Sequence, residues 1–90
     1  MIIEIYGKPS CALCASAKMK IELHLKKWQL ESVVPVVFRD VDTEEGAAEG
    51  DFHDVFEIPS VLLKDGPDNV IARWDGQAPP SEELHQRLSA

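Results

Sequence analysis

The sequence has little cysteine, little positive charge and no long apolar run, and each shortage excludes a class of protein. Two cysteines in 90 residues are too few for a secreted disulfide scaffold. Nine basic against sixteen acidic residues give a net charge of −7, which argues against binding to a nucleic-acid backbone. No apolar stretch approaches the roughly 18–20 residues of a membrane span, so we expect no membrane association.

The first residues also lack the basic stretch and the small-residue cleavage site of a signal peptide. Hydrophobic residues make up 44% of the chain, which is enough for one core, and the chain has no repeat or linker. We therefore predict a single domain over residues 1–90, present as a monomer in the cytoplasm.

Apolar patterns in the first half of the chain predict a strand, a helix and a second strand. Residues 2–6 are β-branched and aromatic and end at a Gly-Lys-Pro-Ser turn. Steps of three and four residues from Cys11 onward place one apolar stripe on a helix, formed by Cys14, Ala17, Ile21, Leu25 and Trp28. Residues 33–41 form a Val-rich run typical of a strand covered on both faces, with Pro35 at its start.

The second half of the chain predicts a helix, a β-hairpin and a last helix. The helix is capped by Asp42 or Thr43 and runs to about Phe56. The hairpin has strands at residues 60–64 and 70–74. Ser81 caps the last helix, in which Leu84 and Leu88 face the core. The order β-α-β-α-β-β-α predicts an α/β fold, in which helices pack on a mixed four-stranded sheet.

Cys11 and Cys14 carry the most informative pattern. They fall within one helical turn, close enough to form a disulfide. Cys11 begins the helix, where free N–H groups and the helix dipole favour a thiolate and lower the thiol pKa. Cys14 belongs to the apolar stripe, so we expect it to be more buried. The pair is therefore predicted to be redox-active, with Cys11 as nucleophile and Cys14 as resolving thiol.

Two other interpretations of the pair stay open, namely half of a zinc site and a pair of unreactive core thiols. A tetrahedral zinc site needs two further ligands. The sequence has no second C-x-x-C, and its three histidines show no paired spacing, so we expect no metal.

Residues 3–14, with the sequence Ile-Glu-Ile-Tyr-Gly-Lys-Pro-Ser-Cys-Ala-Leu-Cys, resemble the first strand and active-site loop of glutaredoxins. The Ile-Pro signature of the thioredoxin-like superfamily has its counterpart at residues 57–60, Glu-Ile-Pro-Ser, and the element order is that of its minimal fold. The Cys-x-Leu-Cys motif is similar to that of the small glutaredoxin-like proteins. The resemblance implies that Pro59 is cis and lies beside the cysteines, and that the Ile58 backbone pairs with a substrate peptide or glutathione.

The sequence departs from glutaredoxins at two places. Ala12 and Leu13 replace the usual proline and aromatic residue, and residues 74–77 lack the Gly-Gly-x-Asp segment that holds the glutamyl end of glutathione. Lys8 matches the lysine expected near a glutathione carboxylate. For Tyr6, which ends the first strand, core packing and a contact beside Cys11 both remain open.

We therefore expect a thiol-disulfide oxidoreductase that reduces or exchanges disulfides through Cys11 and Cys14 without a bound cofactor. The expected substrate-binding residues are Lys8, Tyr6, Ile58 and Pro59. Expected partners are a disulfide-containing protein or glutathione, with glutathione or a thioredoxin-reductase-type enzyme regenerating the dithiol. Two alternatives remain, a redox-inactive binding module of thioredoxin fold and a glutathione-linked iron–sulfur carrier.

Overall fold

Strands and helices follow one another in the order that the sequence predicts. A computed structural model describes residues 1–89. Its elements are β1 (Ile2–Gly7), α1 (Ala12–Lys27), β2 (Val36–Asp40), α2 (Glu44–Phe52), β3 (Ser60–Lys64), β4 (Val70–Asp75) and α3 (Ser81–Ser89). The four strands form one mixed sheet, which confirms the predicted α/β class.

β1 lies in the interior of the sheet, whose strand order is β2-β1-β3-β4. It runs parallel to β2, with Ile3 opposite Val36 and Gly7 opposite Asp40. β3 runs antiparallel to both β1 and β4. The crossover through α1 produces the parallel pair, and the short turn before β4 produces an antiparallel one. Because β1 is hydrogen-bonded on both sides, the loop that follows Gly7 starts from a fixed strand.

The sheet has an apolar face and a polar face, since side chains alternate along each strand. The apolar face packs against α1 and α3, and the buried core consists of Ile3, Ile5, Ile21, Leu25, Val34, Val61, Leu63, Trp74 and Leu84. Trp28 and Leu88 pack against this core as partly buried side chains. The Trp28 ring also stacks 4.4 Å from the ring of His85, which joins the end of α1 to α3.

β2 differs from the predicted strand covered on both faces. It spans Val36–Asp40 instead of residues 33–41, and all its residues are half-buried. The reason is its position at the edge of the sheet, where β1 is its one neighbour. The preceding residues form a turn in which the N–H of Val34 donates to the carbonyl of Leu30. Pro35 lies immediately before the strand, as predicted.

α2 is capped as predicted but is shorter than predicted. The hydroxyl of Thr43 accepts the N–H of Gly46 at 3.0 Å, so Thr43 is the cap. The helix ends at Phe52 and does not reach Phe56. Asp54 has a left-handed backbone with a φ of 53°, and this conformation stops the helix.

α3 begins one residue earlier than its predicted cap implies. The carbonyl of Pro80 accepts the N–H of Leu84, which makes Ser81 the first helical residue. Trp74 at the end of β4 is buried, and its indole N–H donates to the Glu83 carboxylate at 3.3 Å. The hydrogen bond satisfies the one polar atom of a large core side chain.

The polar face of the sheet carries a buried charge network around Glu4. The Glu4 carboxylate accepts from Arg39 at 2.8 Å and from Lys64 at 3.2 Å. It also accepts the Tyr6 hydroxyl at 3.0 Å, and Lys64 Nζ lies 3.3 Å from His53 Nε2. Burial opposes ionisation of Glu4, but the hydrogen bonds from Arg39, Lys64 and Tyr6 outweigh it and lower the Glu4 pKa. Burial, reinforced by the charge of Glu4, raises the pKa of Tyr6, so its hydroxyl remains a donor.

We expect Glu4→Gln to lower the free energy of unfolding by about 3 kcal/mol at pH 7, because the charge of buried Lys64 loses its carboxylate. Urea unfolding measures the loss. The matched control is Glu22→Gln, which removes an exposed 3.9 Å ion pair with Lys18 and is expected to cost less than about 0.5 kcal/mol. Equal losses in the two variants would contradict a structural role for the network.

The difference in the free energy of unfolding between wild type and Glu4→Gln is also expected to depend on pH. The folded pKa of Glu4 is lowered, so its carboxylate contributes its full stability above the unfolded pKa of about 4.3. This contribution is lost as the pH falls through the folded pKa, and the gap between wild type and Glu4→Gln narrows there.

Candidate active site

The two cysteines lie where the loop after β1 enters α1. Cys11 is the N-cap of α1, and its Sγ accepts the N–H of Cys14 at 3.1 Å. The Cα atoms are 5.2 Å apart, within the range of disulfides, and the two sulfurs are bonded to each other. The spacing and the helix start together place the pair as the sequence predicts.

The two sulfurs have different environments. Cys14 lies on the inner side of α1 and is fully buried, whereas Cys11 is half-buried and open to the surface. The first turn of α1 contains no acidic residue, so no carboxylate on this turn opposes a negative charge at Cys11. The N–H groups of the turn instead favour such a charge. Of the two sulfurs, Cys11 is therefore the accessible one, and it lies at the end of the helix whose N–H groups favour negative charge.

Gly7 sets how closely α1 approaches the sheet. A Cβ on Gly7 would lie 2.6 Å from Cys14 Sγ and 2.8 Å from Cys14 Cβ, closer than real side chains come. The same Cβ would lie 3.3 Å from the Phe38 ring. The absence of a side chain at Gly7 therefore lets Cys14 pack directly on the backbone of β1.

The loop before β3 contains a cis peptide bond between Ile58 and Pro59, as the resemblance implies. The Pro59 carbonyl accepts the N–H of Gly76 at 2.8 Å, which ties this loop to the chain after β4. Ser60 adds two further links, because its hydroxyl lies 2.6 Å from the Glu57 carbonyl and 3.0 Å from the Asp75 carboxylate. These contacts hold the loop on the sheet.

A groove of about 320 Å³ separates this loop from α1. One wall is formed by Leu13, Ser16, Ala17 and Lys20 of α1, and the other by Pro59, Gly76, Gln77 and Ala78. Leu13 lies between the two cysteines and is 69% exposed. The groove, which we call the cysteine groove, thus contains the exposed apolar side chain that lies between the two cysteines in sequence.

Of the four predicted substrate-binding residues, Lys8 and Ile58 are partly exposed, whereas Pro59 and Tyr6 are fully buried. Lys8 is exposed, and its Nζ lies 3.5 Å from the Asp42 carboxylate. Ile58 is half-buried, and Pro59 is fully buried although it is one of the residues around the cysteine groove. Tyr6 is fully buried and donates to Glu4, so the prediction of a surface contact beside Cys11 is wrong for its side chain. The alternation of β1 turns Tyr6 into the polar face of the sheet.

Sequence reasoning missed the second wall of the cysteine groove and the charge network. Gly76 has a φ of 78°, and a Cβ there would lie 2.6 Å from Glu57 Oε2, so this glycine shapes the wall. The Asp75-Gly76 pair indicates in the sequence that the chain turns after the last strand. A turn signal does not tell where the following loop folds back. Glu4 and Lys64 stood in strongly apolar strands, which is the signal that would have revealed a buried ion pair.

Among residues 1–89, no three His, Cys, Asp or Glu side chains are grouped as ligands of a metal ion would be. No helix in the same range is both long enough and apolar enough to cross a bilayer.

The description "Glutaredoxin-like domain (DUF836)" belongs to a family model that matches residues 2–89. The chain belongs to this glutaredoxin-like family. No curated protein matches it closely in sequence.

Solved structures of similar fold are thioredoxins and a protein of malarial origin. Thioredoxin 1 from Thermosipho africanus is 22% identical, with a TM-score of 0.67, and the match covers 99% of this chain and 98% of that one. Fasciola hepatica thioredoxin is 26% identical, with a TM-score of 0.66 and coverage of 98% and 77%. A structure titled only as a malarial protein is 17% identical, with a TM-score of 0.74 and coverage of 98% and 92%. The glutaredoxin-like chain thus has the thioredoxin-like fold.

We expect Gly7→Ala to destabilise the oxidised protein by about 1–3 kcal/mol, because the new methyl group displaces the buried Cys14 sulfur. Thermal unfolding of the disulfide form measures this. Gly50→Ala is the matched control. It also replaces a glycine by alanine, within α2, but a Cβ at this position would lie 3.7 Å from its nearest neighbouring atom, an ordinary contact. It is expected to be neutral or to stabilise by up to about 1 kcal/mol. A Gly7→Ala protein as stable as wild type would refute the close approach.

Proposed function

We propose that this glutaredoxin-like protein is a thiol-disulfide oxidoreductase that works through Cys11 and Cys14. The observation that carries the proposal is the asymmetry of the pair. An accessible sulfur caps a helix free of acidic residues in its first turn, and a fully buried sulfur lies within bonding distance below it. Membership of the glutaredoxin-like family and the thioredoxin-like fold support the same chemistry.

The proposed reaction moves two electrons. In the reduced protein, the Cys11 thiolate attacks one sulfur of a substrate disulfide, and the other substrate sulfur leaves as a thiolate that takes a proton. The Cys14 thiol then loses its proton and attacks Cys11 in the mixed disulfide. This step forms the Cys11–Cys14 bond and releases the second substrate thiol. The groups needed for both steps belong to the chain, so the cycle requires no bound cofactor.

We further propose that Pro59, beside Leu13 in the cysteine groove, and the backbone of Ile58 hold the substrate next to Cys11. The substrate is a disulfide-containing protein or glutathione disulfide. Glutathione or a thioredoxin-reductase-type enzyme then returns the pair to the dithiol, which suits a reducing cytoplasm. In this proposal the protein acts as a monomer.

Cysteine variants test the proposal. We expect Cys11→Ser to abolish reduction of a disulfide substrate, because the accessible nucleophile is lost. Cys14→Ser is expected to retain the first attack and to accumulate a mixed disulfide at Cys11, since no resolving thiol remains. Intact-protein mass spectrometry after incubation with glutathione disulfide detects this adduct as a mass increase in Cys14→Ser.

The rate of alkylation completes this test. In Cys14→Ser, the rate at which iodoacetamide modifies Cys11 is measured as a function of pH. The apparent pKa of this rate is expected to lie below the ordinary 8.5 of a free thiol. Equal residual turnover in the two serine variants would refute the assigned roles. A Cys11 with ordinary reactivity and no turnover would support a redox-inactive binding module.

Lys8→Ala tests glutathione recognition. If Lys8 binds a glutathione carboxylate, the variant raises the KM for glutathione severalfold with little change in stability, because one exposed charge contact is lost. Lys18→Ala is the matched control, since its side chain is equally exposed and also contacts one carboxylate, on α1. An unchanged KM in Lys8→Ala would show that Lys8 pairs with Asp42 alone.

A further inference from the structure

Positive charge is concentrated beside the redox pair in a protein whose net charge is negative. Residues 8–27 contain five of the nine basic residues and one of the sixteen acidic residues, a local net charge of +4. The rest of the chain contains four basic and fifteen acidic residues, a net charge of −11. The excess of positive charge thus lies on the loop and helix that carry Cys11 and Cys14.

Part of this charge lies on one exposed row of α1. Leu13, Ser16, Lys20, Leu23 and Lys27 follow one another at steps of three, four, three and four residues, so they lie along one side of the helix. All five are exposed. We call them the α1 row. Its first three members also line the cysteine groove, so the row continues the groove away from the disulfide.

The two lysines of the row form no ion pair with the part of the chain that the structure describes. For the stretch of chain that the structure describes, neither Lys20 nor Lys27 lies within 4 Å of an acidic side chain. Lys27 in the last turn also complements the helix dipole, which is a structural reason for its charge. Lys20 lies in the middle of the helix and has no such reason. Leu23 between them is 60% exposed, an apolar contact without a covering element.

We propose that the α1 row is a docking surface for a protein partner whose disulfide is flanked by an acidic, partly apolar segment. This inference rests on the oxidoreductase function and specifies its substrate class. Leu13 and Leu23 take apolar side chains of the partner, and Lys20 and Lys27 pair with its carboxylates. The partner disulfide then lies at Cys11, where the attack and the release by Cys14 proceed as described above, and a thiol reductant restores the dithiol.

The size and chemistry of the row favour a protein over other anions. From Leu13 to Lys27 the helix rises about 21 Å, beyond the span of an extended tripeptide of about 10 Å, so glutathione cannot contact the whole row at once. No member of the row is aromatic, which leaves no platform for stacking nucleic-acid bases. The net positive charge of residues 8–27 instead attracts an acidic segment of a partner toward α1.

The test uses two model substrates with the same disulfide loop, flanked by Glu-Leu repeats in one and by Gln-Leu repeats in the other. Second-order rate constants for their reduction are measured with dithiothreitol as reductant. Wild type is expected to prefer the Glu peptide by about tenfold at low salt, and about 0.5 M salt is expected to abolish the preference. The double variant Lys20→Glu/Lys27→Glu is expected to lose the preference. The matched control Lys18→Glu/Lys26→Glu has the same net charge but lies off the row, and it is expected to retain most of it.

Each outcome separates the inference from the function on which it rests. For each protein, the rate constant for each peptide is divided by that for bis(2-hydroxyethyl) disulfide, a small neutral substrate, so that a change in the reactivity of Cys11 itself cancels from the comparison. If wild type reduces neither this disulfide nor the peptides, the oxidoreductase function fails. If it reduces all substrates without preferring the Glu peptide, or if both double variants lose the preference equally, the docking inference fails and the function stands. Tighter binding of a single-stranded oligonucleotide than of the Glu peptide, or a dimer that Lys20→Glu/Lys27→Glu dissociates, would assign the row to another occupant.

Discussion

The contact between the Gly7 backbone and the Cys14 sulfur fixes the geometry of the candidate active site. Since no side chain fits between them, α1 is seated against the end of the interior strand β1. Cys14 is thereby fully buried, and Cys11, one turn earlier, is left at the surface as the helix cap. The position of Gly7 at the end of β1 and of Cys11 at the start of α1 thus gives two cysteines of the same chemistry different exposure to solvent.

The two faces of the sheet solve different problems. The face toward α1 and α3 is apolar and supplies the hydrophobic core that a chain of this size needs. The other face places Glu4 between two cations, beneath the short helix α2. A buried ion pair adds little stability over an apolar pair, but removal of one member is costly. The network therefore fixes the pairing of β1, β2 and β3 more than it strengthens the fold.

Local patterns were sufficient to predict the order of elements, a cap of α2 at Asp42 or Thr43 and the burial of Cys14. They failed where the outcome depended on neighbours distant in sequence. The Val-rich run around β2 looked doubly covered, but strand order decides which strand lies at an edge, and periodicity contains no information on strand order. Tyr6 adjoins the active-site loop in sequence, yet the alternation of β1 turns it to Glu4. The wall at Gly76 required knowledge of how the chain returns after β4.

Both edges of the sheet are shaped in a way that bears on aggregation. β2 is five residues long, is entered through Pro35, and carries Arg39 and Asp40. β4 has a register irregularity opposite Leu63 and Lys64 and carries charges near its end. Short, charged or irregular edges discourage another strand from adding to a sheet. Addition of another strand through exposed backbone is thus disfavoured at both edges of the sheet, which leaves side chains as the groups that can contact another protein.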